Sequence, residues 1–284
     1  MPSIAVITDT DASLPADLAA RHGIRQVPIT IHFGQDTLLT DFDIDDAGLC
    51  ERVDREGKMP TTSAPSPGQF SEAFGDAFAS GADAVICICV SSEISATYQA
   101  AVAARDLMPE RDITVLDSRT VSMAQGFMAL AAAEAAKAGA GRDDIVAGAR
   151  AIGERAYLFG ALATLKYLAM SGRVGHVAAG FGNLLDVKPI VTMRNGKLEM
   201  LERVRSRKKS LARLIGLAEG ALAGRPMERL AVLHVDAPEE AMEFEEQLRA
   251  ALPCPKDIVR AQFTPGLSVH TGRGLIGAVF VAEA

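Results

Sequence analysis

Ala84-Val-Ile-Cys-Ile-Cys-Val90 runs straight into Ser91-Ser-Glu-Ile-Ser-Ala-Thr97, and helical spacing follows over residues 98–107. A short apolar run that ends in hydroxyls reads as a parallel strand covered on both faces and turned into a helix. The pattern recurs on either side. Ser3-Ile-Ala-Val-Ile-Thr8 ends in Asp9, with helical spacing over 14–22 and Gly23 placed to cap it. Ile113-Thr-Val-Leu116 ends in Asp117-Ser118, ahead of an alanine-rich helix over 122–137. Strand, polar turn and helix in repetition predict a doubly wound, mostly parallel α/β sheet with right-handed crossovers. Ligands of such sheets sit beyond the carboxyl ends of the strands, so Asp9, the 91–97 turn and Asp117-Ser118 converge by topology alone.

Outward from this frame, Val27-Pro-Ile-Thr-Ile-His-Phe33 reads as a strand, and residues 44–55 as a helix with Asp43 as its N-cap. Pro60-Thr-Thr-Ser-Ala-Pro-Ser-Pro67 reads as a stiff extended loop before a helix over 68–80. The second half changes character. After a helix over 143–154 come a strand over 157–163, a short helix over 164–171 and a glycine-spaced helix through 181–185. Lys188-Pro-Ile-Val-Thr-Met-Arg194, Asn195-Gly196 and a strand over 197–204 form a hairpin signal; two helices and two strands complete the chain. An α+β half after a doubly wound half predicts two domains, 1–150 and 151–284.

The balance of 49% hydrophobic and 23% charged residues over 284 positions is that of a globular protein and excludes disorder and low complexity. A net charge of −7 repels nucleic acid and anionic membranes, and 5% aromatics without Trp argues against a base-stacking surface. Four cysteines make no disulfide framework and none has zinc-site spacing; Cys87 and Cys89 read as strand core. Residues 1–7 lack a basic n-region, and the longest uncharged apolar stretch, 120–133, falls short of the ~20 residues of a membrane helix. The expectation is a soluble cytoplasmic protein with no stable membrane insertion.

Several constellations carry chemistry. Thr61-Thr-Ser63 sets three adjacent hydroxyls in a stiff loop, where they can donate to an anion or simply cap the next helix. Four hydroxyls at Ser91, Ser92, Ser95 and Thr97 exceed what one cap requires and suit a carboxylate or phosphate at a helix N-terminus. Gly272-Arg-Gly-Leu-Ile-Gly277 matches G-x-G-x-x-G, yet only seven residues follow, too few for a dinucleotide-binding βαβ unit. Its glycines fit a close backbone approach beside His270. Asp9-Thr-Asp11 is the D-x-D of haloacid-dehalogenase-like phosphatases, or a helix approach. Arg203-Val-Arg-Ser-Arg-Lys-Lys209 is the one basic run, either a solvated helix start or a docking site.

Taken in order, these segments resemble the DegV family of bacterial fatty-acid-binding proteins nearly end to end. The resemblance rests on Ile7-Thr-Asp-Thr-Asp-Ala-Ser-Leu-Pro15, Thr61-Thr-Ser-Ala-Pro-Ser66, Ser91-Ser-Glu-Ile-Ser-Ala-Thr-Tyr-Gln99, and Asp117-Ser118 with Ser122 and Gly126. Thr164-Leu-Lys-Tyr-Leu168 with Gly172-Arg-Val174, Leu184-Leu-Asp-Val-Lys-Pro-Ile190 and Val269-His-Thr-Gly272 complete it. It implies two domains with a long-chain fatty acid between them, its carboxylate held by hydroxyls of Thr62 or Ser63 and of Ser95, with Thr97 beside it. No other cofactor is implied. Some members act as the acyl-carrying, non-catalytic subunit of a fatty-acid kinase, whose ATP-binding partner phosphorylates the bound acid; Arg173 and His270 match positions used in that partnership. The sequence departs from the family pattern at Asp11, Ala96, Ser171 and Arg273. The alternatives are a magnesium-dependent phosphatase built on Asp9 and Asp11, and a regulatory binder of another small anion.

Overall fold

The computed structural model describes residues 3–172 and 187–284. The first half runs β1 (Ile4–Asp9), α1 (Ala16–His22), β2 (Arg25–Val27), β3 (Thr30–Phe33), β4 (Asp36–Leu39), α2 (Asp46–Glu56) and β5 (Thr61–Ser63). It continues through α3 (Pro67–Ala79), β6 (Ala84–Cys89), α4 (Thr97–Asp106), β7 (Asp112–Asp117), α5 (Met123–Lys137) and α6 (Arg142–Arg155). Four parallel strands form one sheet in the order β2-β1-β6-β7. Every residue of β6 is buried because alternate side chains serve opposite layers. Val85, Cys87 and Cys89 pack under α3 and α4 with Phe70, Phe74 and Ala101, while Ile86 and Ile88 face α5 with Phe127 and Met128.

The second half runs β8 (Ala156–Ala161), α7 (Lys166–Ser171), β9 (Lys188–Arg194), β10 (Lys197–Val204), α8 (Arg207–Leu222) and β11 (Met227–His234). It ends with α9 (Pro238–Ala251), β12 (Val259–Gln262), α10 (Pro265–Thr271) and β13 (Ile276–Ala282). Six strands form a mixed sheet in the order β10-β9-β8-β13-β11-β12, parallel only between β11 and β12. One face carries Phe159, Ile276 and Phe280 against Leu214 of α8 and Phe244 of α9. The other turns Leu158, Leu233 and Val279 into the core that also holds α5. Sandwiched between two sheets, α5 is buried along most of its length, and its alanines allow both to approach. The architecture is α/β in two domains, and residue 150 lies within α6.

Local chemistry moves some boundaries. Pro28 splits the 27–33 strand into β2 and β3, since a central-strand position needs the N–H it lacks. Asp45 rather than Asp43 caps α2, accepting from the Gly48 N–H at 2.8 Å, while Asp43 accepts from the Leu39 N–H at 2.8 Å. Residues 61–63 form β5, pairing with β3 in a small antiparallel sheet ordered β4-β3-β5. Ser66 caps α3 in a reciprocal box with Gln69, which frees the three preceding hydroxyls from that duty. Residues 188–204 form the hairpin, and Asn195 and Gly196 take the two positive φ values, 50° and 82°, of its turn. The helix read through 181–185 lies outside the described residues. Three elements carry no clear sequence signal: β4, β12, and the short α10 that bears His270.

Candidate functional site

The carboxyl ends of β1 and β6 are joined by Asp9, which is 0% exposed. Its Oδ1 accepts from the Asp11 N–H at 3.0 Å; its Oδ2 accepts from the Val90 N–H at 2.8 Å and from Gln125 Nε2 at 3.1 Å. Burial pushes its pKa up to about 6, opposed by the donors from Val90, Gln125 and Asp11. A carboxylate enclosed and occupied in this way fastens the two strand ends to α5 and is closed to a phosphorus centre, which removes the nucleophile of the D-x-D reading. Because its folded pKa lies above the ordinary 3.8, the native state takes up this proton first. The stability it contributes is full below about 3.8 and is lost as pH rises through about 6. Between pH 7 and pH 4, wild-type protein should gain about 2 kcal/mol over Asp9→Asn in urea unfolding. A difference that stays flat over that range would contradict this account.

Next to this junction lies a cavity of about 540 Å³, bounded by Asp11, Ile29 and Thr62 from early in the chain, by Ile94 and Ser95, and by Leu267 and His270 from its end. The period of β5 decides which hydroxyl serves it. Thr62 faces inward and its Oγ1 lies 3.1 Å from His270 Nε2, whereas the Ser63 hydroxyl lies 2.9 Å from His32 Nε2 on the outward side. Ser63 also borders the cavity.

The four hydroxyls of residues 91–97 divide their work. Ser91 donates to the Gly196 carbonyl at 2.7 Å, which fixes the tip of the β9–β10 hairpin to this turn. Ser92 donates to Asp117 Oδ2 at 2.6 Å and ties the turn to the end of β7. Ser95 borders the cavity, its Oγ 2.8 Å from the buried Thr97 Oγ1 and 3.3 Å from the Thr97 N–H that donates to it. No side chain caps α4; Ala96 stands at that position, leaving Ser95 turned to the cavity. Thr62, Ser95 and His270 thus meet at one cavity with Thr97 behind Ser95, while Arg173 lies outside the described residues. The arrangement offers hydroxyl donors beside the apolar Ile29, Ile94 and Leu267, which suits a ligand with a polar head and an apolar body.

The sequence profile of a family described as uncharacterised DegV proteins matches residues 3–283. The chain belongs to the DegV family. A DegV domain-containing protein of Streptomyces coelicolor is 38% identical over 278 residues, 97% of each chain. A DegV family structure from Thermus thermophilus, described by its fatty acid binding, matches at a TM-score of 0.92 with 28% identity over 100% of both chains. DegV of Bacillus subtilis, described as a fatty acid binding protein, matches at 0.89 with 31% identity and the same coverage. Within this DegV chain the cavity also takes in Gln99, which stands in the first turn of α4 just after the 91–97 hydroxyls. Arg273, one departure from the DegV pattern, pairs with Asp54 at 3.0 Å and Asp236 at 2.6 Å. Within the basic run, Arg207 makes a two-pronged pair with Glu240 at 2.7 Å, and Ser206 caps α8. Part of that run is therefore structural.

Proposed function

We propose that this chain binds a long-chain fatty acid between its domains, 1–150 and 151–284, with the carboxylate at Thr62 and Ser95. It then presents the acid to a separate ATP-binding kinase subunit for acyl phosphate formation, in the cytoplasm and without catalytic machinery or a cofactor of its own. The observation that carries this reading is the meeting of Thr62 and Ser95, 33 positions apart and on different elements, at one cavity beside apolar side chains. The fatty acid binding described for the Thermus and Bacillus relatives supports the same ligand class. Burying about 14 methylenes at ~0.8 kcal/mol each contributes on the order of 11 kcal/mol before ordering costs. The tail would supply affinity and the hydroxyls orientation. Uncharged donors also leave a carboxylate oxygen able to attack phosphorus. Thr97 positions Ser95, and His270 positions Thr62; Arg173 and His270 are assigned to the kinase partnership.

Native mass spectrometry of gently purified protein tests this directly. The expected result is an added mass in the range of long-chain fatty acids, displaced by excess palmitate or oleate. Protein that carries no lipid and ignores both added acids would overturn the reading.

A further inference from the structure

A second cavity, of about 370 Å³, lies between the turn after β1, the start of α2 and the segment from β12 to α10. Its wall holds Asp41, Asp45 and Asp46 and one cation, Arg260, which Glu245 engages at 2.6 Å. Asp46 is 2% exposed, and its carboxyl group is met by the Ser268 hydroxyl. That hydroxyl is shared with the carbonyls of Phe263 and Thr264, at 3.3 and 3.2 Å. Two further side chains on the wall, outside the acidic group, carry unmatched buried oxygens. Ser13 is 2% exposed and Thr264 6%, and the hydroxyl of each is buried without a partner among the described residues. Thr264 stands at the N-cap of α10 yet makes no capping bond. Gln26 adds a buried carbonyl oxygen, Oε1, in the same condition.

Buried polar atoms left unmatched each cost on the order of 1–3 kcal/mol, and a cluster of them on one wall calls for a common partner. All of these atoms are oxygens, the set that hard cations select, and the acidic residues give the wall a negative balance. Among the described residues no three acidic, His or Cys side chains converge tightly enough to enclose a bare ion, so the ion must keep part of its water shell. We propose that this cavity binds a hydrated divalent cation, Mg²⁺ or Ca²⁺, through Asp46 with the oxygens of Ser13, Gln26 and Thr264. The inference stands apart from the fatty-acid reading, since none of these four residues borders the lipid cavity.

The test is calorimetric titration of chelator-treated full-length protein with MgCl₂ and with CaCl₂ at constant ionic strength, alongside thermal melts. Saturable one-site binding of at least one metal is expected, with a melting temperature that rises with its concentration. Asp46→Asn should lower the affinity by about tenfold or more, and Ser13→Ala with Thr264→Val, which changes no charge, by about tenfold as well. The double variant keeps the test open if Asp46→Asn folds poorly. Absence of saturable binding by either metal up to about 10 mM, beyond the range of weak calcium modules, would overturn the proposal. So would affinity unchanged in both variants, which would mark solvent as the partner of these oxygens.

Discussion

Thr62→Val combined with Ser95→Ala is expected to weaken fatty-acid binding by about 100-fold or more while leaving the fold intact. Hydrogen bonds to a charged group contribute ~1.5–3 kcal/mol each, and two of them correspond to at least two decades of affinity. The loss falls on the ligand because each hydroxyl makes just local contacts with the neighbouring side chain of the site. Among the described residues the Thr62 hydroxyl meets His270 and the Ser95 hydroxyl meets Thr97, and the local strand and helix are held by other bonds. The replacements keep nearly the same shape, so an unchanged melting temperature of the lipid-free protein should accompany the lost affinity. A fluorescent fatty acid measured by displacement gives the number. A change below about threefold in the double variant would relocate the carboxylate.

Gly272→Ala should cost about 3 kcal/mol or more. Gly272 has φ 75° and ψ 169°, a region populated almost entirely by glycine, and a Cβ added there would fall inside the ring of Tyr167. Backbone strain and overpacking contribute ~1–3 kcal/mol each. For a chain of this size that corresponds to a fall of about 6–12 °C in melting temperature. Tyr167→Ala in the same chain should recover the steric share and leave the backbone share, which separates the two causes. Because Gly272 closes the helix that carries His270, the variant should also bind lipid less tightly. Stability equal to wild type would show that this corner relaxes at no cost.

The decoy G-x-G-x-x-G explains how such positions are read. Its letters fit a nucleotide loop, but the run opens into β13 rather than a helix, and its glycines serve close approach, as Gly272 against Tyr167 and Gly277 against the Phe159 carbonyl display. The parallel sheet was legible because β6 buries both faces and so carries an unbroken apolar run. The hairpin was legible because Asn195-Gly196 supplies the two positive φ values its turn demands. Other features were not, for definable reasons. The α10 helix is seven residues long, and its apolar side chains fill a corner made by β3, β5 and α7, so no helical period is displayed. The choice between Thr62 and Ser63 needed the pairing of β5 with β3, a contact between segments some thirty residues apart. The roles of Ser91 and Ser92 depended on Gly196 and Asp117, partners that local spacing does not reveal.

The position of α5 constrains how a lipid would be exchanged. That helix is a shared beam: it serves the inner face of both sheets, with Phe127 and Met128 in the same cluster as Ile88 and Val279. Swinging the halves apart like jaws would strip this apolar beam on one side and expose it to water, at a cost that grows with every residue bared. A long tail must therefore thread through a gap opened at the rim while the scaffold stays shut, and the pace of loading would be set by a few side chains at that gap.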